Sequence, residues 1–160
     1  MKKTKFLGIL ISSILLFSCA PLKPVTIIEN SSAENYKYIY ISPTNSLTSS
    51  SGATYGGQYY SSSKSVNPAD VITGILTKEG FIRLPELKNE LTNQTLIVNY
   101  GESGRRNRGL GYTIEVTIQL VSAKTNELIS SCSAEGQGET EADDIRQAIT
   151  RCLSSLLNKK

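Results

Sequence analysis

Three sets of side chains in this 160-residue chain have types and spacing that could do chemistry. Arg105, Arg106 and Arg108 lie within the glycine-rich stretch Gly101–Gly111. Planar guanidinium forks bind phosphate or carboxylate in a bidentate manner, so these three form a candidate site for an anion or an acidic partner. The surrounding glycines predict a loop between two strands, with the arginines at its solvated tip. No Gly-Lys-Ser or Gly-Lys-Thr follows, so the stretch is not a nucleotide-type phosphate cradle. Glu139, Glu141, Asp143 and Asp144 form the second set. Acids at this density around a helix start favour the positive end of the helix dipole. They do not match the Asp-x-Asp-x-Asp-Gly pattern of a calcium loop, and no metal site is expected. Two carboxylates can also hydrolyse glycosides, but no cleft of sugar-stacking aromatics accompanies them. The third set is Cys132 and Cys152.

The residue that is missing matters as much. The chain has no histidine, which removes the usual general base, the Ser-His and Cys-His nucleophile pairs and the commonest catalytic zinc sets. A catalytic role and a cofactor are therefore not expected.

Lys2, Lys3 and Lys5 precede an apolar run from Phe6 to Phe17, which Ser18-Cys19 closes. A basic start, an apolar middle and a small residue before the cut make a secretory signal. At ~1.5 Å per residue that run reaches about 18 Å, short of a ~30 Å bilayer core. Leu16-Phe17-Ser18-Cys19 resembles the lipobox of bacterial lipoproteins. The resemblance implies that residues 1–18 are removed and that Cys19 carries a lipid. It also implies that Ala20, rather than Asp, directs the protein to the outer membrane, facing the periplasm. The 17 basic and 14 acidic residues give a formal +3, and the three signal lysines supply that whole excess. Nucleic-acid binding through general basicity loses its support.

The elements that must hold these groups follow from periodicity. Residues 19–35, with Pro21 and Pro24, read as a flexible tether, in which Val25 to Ile28 could add an edge strand. Tyr36 to Ile41 alternates as a strand. Residues 44–66, dominated by Ser, Gly, Tyr and Thr, read as a long disordered loop whose tyrosines suit adaptable binding. Asn67-Pro68 opens a helix that Gly80 closes. Thr95–Tyr100, Tyr112–Val121 and Glu127–Glu135 are strands, the middle one alternating apolar and polar as in a sheet with one covered face. Thr140 caps a last helix with Ile145, Ala148, Ile149, Cys152, Leu153 and Leu156 on one stripe.

The expected fold is α+β, a two-layer sandwich of a mainly antiparallel four- to five-stranded sheet with two helices on one face, in a single domain over residues 36–158. Cys132 would face Cys152 at similar depth. They form either a disulfide, which an oxidising compartment would preserve, or two buried thiols, because helices usually ride high above a sheet.

Glu79-Gly80-Phe81 ending a helix, the strand Leu96-Ile97-Val98 and the hairpin Leu120–Leu128 together resemble a family of small periplasmic bacterial lipoproteins of unknown function. Ser122 and Asn126 stand where that family carries Asp and Gly. The layout is also similar to the lipoprotein that plugs the lipopolysaccharide-inserting barrel and to amino-terminal domains of Tol-type proteins. What this implies is a non-catalytic binding or assembly module held to the membrane through its N-terminal lipid. Its partner would be an envelope protein or glycolipid. Two alternatives are a lipopolysaccharide-handling partner of an outer-membrane barrel and a carboxylate-dependent cell-wall hydrolase.

Overall fold

The structure is a computed structural model that describes residues 21–108 and 111–158. The signal at 1–18 and Cys19 lie outside the described residues. In chain order the elements are β1 (Thr26–Glu29), β2 (Tyr38–Ile41), β3 (Leu47–Tyr55), β4 (Gln58–Val66), α1 (Pro68–Lys78), β5 (Ile82–Arg83), β6 (Thr95–Arg108), β7 (Gly111–Ser122), β8 (Leu128–Gly136) and α2 (Glu141–Leu157). Two short 3-10 helices, Ala33–Asn35 and Asn89–Gln94, fill connections.

Six strands form one sheet in the order β1-β8-β7-β6-β2-β5, and β3 and β4 pair separately. The fold is α+β, as expected, with one more strand in the sheet than the alternation suggested. In β7, Ile114, Val116, Ile118 and Leu120 are buried, and both helices turn their apolar stripes into that same core. Ile72 and Leu76 of α1 join Ile145, Ile149 and Leu153 of α2 there. Each fully buried side chain of this size contributes roughly 1.5–3 kcal/mol of transfer free energy.

The helix ends behave as their residues dictate. Asn67 accepts from the Ala69 amide, and Pro68 opens α1. Gly80 has φ 96°, which lets Phe81 donate its amide back to the Leu76 carbonyl at 3.1 Å. That bond and the Phe81 ring packed on the core close the helix in a Schellman arrangement. Thr140 accepts from the Asp143 amide at 3.3 Å at the start of α2.

Three segments depart from expectation. Residues 44–66 are not a disordered loop but a β-hairpin, in register from Leu47–Val66 to Tyr55–Gln58. Gly56 and Gly57 both have positive φ (59° and 80°), the requirement of a two-residue type I′ turn. Lacking a core of its own, the ribbon leans on α2. Ser49 Oγ accepts from the Ala142 amide at 2.9 Å, and Lys64 pairs with Asp143 at 2.8 Å.

The expected tether at 19–35 is largely tied down. β1 pairs antiparallel with β8, Thr26 opposite Ser133 and Glu29 opposite Ser130. The arginine stretch is not a long loop: β6 and β7 keep pairing from Leu96–Ser122 out to Arg108–Gly111, across a bulge between Glu102 and Gly104, so Arg105 and Arg106 lie within the ladder and Arg108 ends it. Glycine weakens a strand without forbidding it, and a bulge absorbs the irregularity.

Candidate functional site

The three predicted arginines reach three different partners around one end of the sheet. Arg105, opposite Ile114 in the ladder, pairs with Glu141 on α2 and stacks over the Tyr112 ring at 5.2 Å. Arg106 forks onto Glu135, Nε to Oε1 at 2.8 Å and Nη2 to Oε2 at 2.6 Å. Arg108 donates to the Gln137 side chain and has no carboxylate partner among the described residues. The guanidinium of Arg106 is thus committed within the fold, and the set does not converge on one anion.

Glu135 is the residue that sequence reasoning missed. It lies on the strand ladder opposite Glu115, yet its side chain is only 1% exposed. An N-terminal strap, residues 21–25, crosses that end of the sheet. The Lys23 amide donates to Glu135 Oε2 at 2.9 Å, and Lys23 Nζ lies 3.6 Å from Oε1. Arg151 on α2 donates to the carbonyls of both Glu135 and Lys23. A single glutamate near the end of a serine-rich strand carries no signal that distant segments will converge on it.

The hydrogen bonds from Arg106 are the largest influence on the Glu135 carboxyl, and with Lys23 they overcome its burial to hold it down at about 2. A carboxyl lowered in the folded state stabilises fully above its ordinary value of 4.5, and that contribution is lost as pH falls towards about 2. Glu135→Gln should therefore be less stable than the parent at neutral pH and lose less stability on acidification. Circular-dichroism unfolding curves from neutral pH down through that window would show two converging lines; parallel lines would count against the assignment.

The acidic set divides by environment. Lys64 holds the Asp143 carboxyl below its usual value, chiefly through their hydrogen bond. Asp144 is 4% exposed, and burial pushes its carboxyl up against the pull of the Gly138 N–H. Glu141 receives Arg105 and lies 3.4 Å from the Tyr112 hydroxyl. Ser49, Ser50, Tyr112, Gln137, Glu141 and Asp144 line a cleft of about 380 Å³ between the ribbon and the start of α2. Among the described residues, no group of three His, Cys, Asp or Glu side chains is arranged to hold a metal ion.

The structure joins Cys132 to Cys152 in a disulfide, with their Cα atoms 5.4 Å apart. Among the described residues, the β3–β4 ribbon carries the most exposed large hydrophobic side chains: Tyr55 is 83%, Tyr59 71% and Tyr60 60% exposed. Tyr59 lies over Gly52 on the neighbouring strand, where a Cβ would collide with its ring. The open Gly-Ser surface therefore gives that aromatic its room.

No family model matches the chain, and no curated protein matches it. Among solved structures it is similar to a dodecamer of PelC from Paraburkholderia phytofirmans carrying one substitution. That likeness has a TM-score of 0.48 at 14% identity, covering 86% of this chain and 98% of that one. A second PelC dodecamer from the same organism gives 0.47 at 16% identity, over 82% and 95%. Both are distant neighbours. No helix among the described residues is long and apolar enough to cross a membrane.

Proposed function

We propose that this protein is a lipid-anchored module of the bacterial cell envelope that acts by contact rather than catalysis. Cys19 would carry the lipid, in the outer membrane and facing the periplasm, and the β3–β4 ribbon would be the contacting element. The ribbon carries the reading. It exposes three tyrosines on a scaffold of Ser, Thr and Gly, with Lys64 its sole charge. Large amphipathic rings on small polar neighbours give contact area at low entropic cost. The order Lys2 to Cys19 supports the address, and a buried disulfide suits an oxidising compartment.

Labelling cells with an alkynyl fatty acid should tag the protein, and Cys19→Ser should abolish the tag. A photo-crosslinking residue at Tyr59 should then capture an envelope component, protein or lipid, in the acylated form. The same residue at exposed Gln119, on the open sheet face, should not. Equal capture at both positions, or none at either, would end the contact reading; an untagged protein would end the address.

A further inference from the structure

The N-terminal strap fixes the end of the domain from which any Cys19-linked lipid must emerge. Pro21 O accepts from Arg106 at 3.4 Å, and Lys23 is held by Glu135 and Arg151, so the chain is pinned from its first described residue. β1 runs antiparallel to β8, so the strap reaches back to the Gly136 end of the sheet. That end also holds the Arg108–Gly111 tip of β6 and β7 and the start of α2. Cys19 precedes Pro21 by two residues, a span of at most about 7 Å. The turn between β7 and β8 lies at the other end, the full length of β7 away, roughly 35 Å.

The ribbon points in the same direction as the strap. Its rungs meet α2 in reverse order: Ser65 at Arg146, Lys64 at Asp143, and Ser49 at Ala142. Ser51 to Ala53 and Tyr60 to Ser62 then pass Glu139, just before the helix. The ribbon climbs α2 towards its N-terminus, and the tip around Tyr55–Gln58 continues past it by about 15 Å.

From this juxtaposition we propose that the ribbon tip docks on the bilayer that holds the Cys19 lipid, seating Tyr55, Tyr59 and Tyr60 at the headgroup–acyl boundary. The inference rests on the lipid anchor proposed above and names the bilayer surface as the ribbon's partner. Tyrosine is enriched at that depth because its ring is apolar and its hydroxyl wet. No carboxylate on the ribbon opposes the approach, and its hydroxyls suit headgroups. The free backbone edges of a two-stranded ribbon set the limit, because unpaired N–H and C=O groups cannot enter the hydrocarbon core. The tip sits in the interface and does not insert deeply.

The chain contains no tryptophan, so a single substitution gives a unique fluorescent reporter. The native lipoprotein bearing Tyr59→Trp, or Lys124→Trp at the opposite end, would be purified from membranes and its acylation checked by intact mass. Each would be placed in phosphatidylethanolamine–phosphatidylglycerol nanodiscs containing a lipid with a shallow nitroxide. Tyr59→Trp should emit to the blue of the solvent-exposed value and be quenched about fivefold more than Lys124→Trp. An acylated protein with equal quenching at the two positions would overturn the bilayer as partner and leave the anchor standing. A protein without acyl chains at Cys19 would remove the anchor and this inference together.

Discussion

Gly136→Ala should either prevent folding or destabilise the domain by about 3–5 kcal/mol, at the upper end of what single substitutions do. The reason is geometric. A Cβ at Gly136 would fall within the Asp144 carbonyl group and 2.8 Å from the Ala148 amide nitrogen. Both are backbone atoms of α2, so no rotamer change relieves the clash, and the whole helix would have to rise off β8. A small domain has only about 5–15 kcal/mol in total. Gly74→Ala is the matching control, since a Cβ there meets nothing within 4 Å and the site lies inside α1. That substitution should raise stability by about 1 kcal/mol. Urea midpoints for the two variants should move in opposite directions; a Gly136→Ala midpoint near the parent's would refute the close packing of α2 on β8.

Removing the disulfide with Cys132→Ala and Cys152→Ala should cost about 3 kcal/mol, the chain entropy returned to the unfolded state when a loop of this size opens. The two residues are 20 apart in sequence. A fall in melting temperature of roughly 10 °C is expected for a domain of this size. Both cysteines are essentially inaccessible, 1% and 0% exposed, so a reductant should act on the parent only as fast as the domain opens. Thermal melts of the parent with and without reductant, beside the double variant, measure this; coincident oxidised and variant curves would show that the crosslink adds nothing.

These two expectations share one cause, and that cause explains a question the sequence left open. Helices ordinarily ride too far above a sheet for Cα atoms to approach within a disulfide's reach. Here β8 presents Ala134 and Gly136, and α2 presents Ala142 and Ala148, all in the core or at the contact. Small residues on both surfaces let the helix settle, and Cys132 and Cys152 come within range. The information was present in the chain, but only as a pairing between two elements that a one-dimensional reading treats separately.

Elsewhere legibility followed the strength of the local pattern. α1 announced itself through Asn67, Pro68 and Gly80, and β7 through five apolar residues on alternate positions, because each signal combines periodicity with chemistry at the ends. The ribbon gave no such signal. Its two faces are both polar and both mostly exposed, so alternation between Ser and Thr or Tyr carries no contrast. Its one local mark, Gly56-Gly57, is common in loops too. Arg105 to Arg108 looked like a tip because charge and glycine suggest solvent, whereas backbone pairing with β7 continues beneath the side chains. The strap was obscured for a related reason: Pro21 and Pro24 forbid regular structure but not hydrogen bonds to a distant glutamate.

Leu47 pairs with Val66 at the foot of the ribbon, and Val66 is buried, while the inner rungs rest on α2 and the rungs from Gly52–Ser61 outward are exposed. The foot thus enters and leaves the fold at adjacent points, between β2 and α1, and the six-stranded sheet is complete without the rest. Selection can lengthen, shorten or rewrite the outer rungs without renegotiating the interior. Whatever the molecule touches, its choice of target can drift independently of its ability to fold.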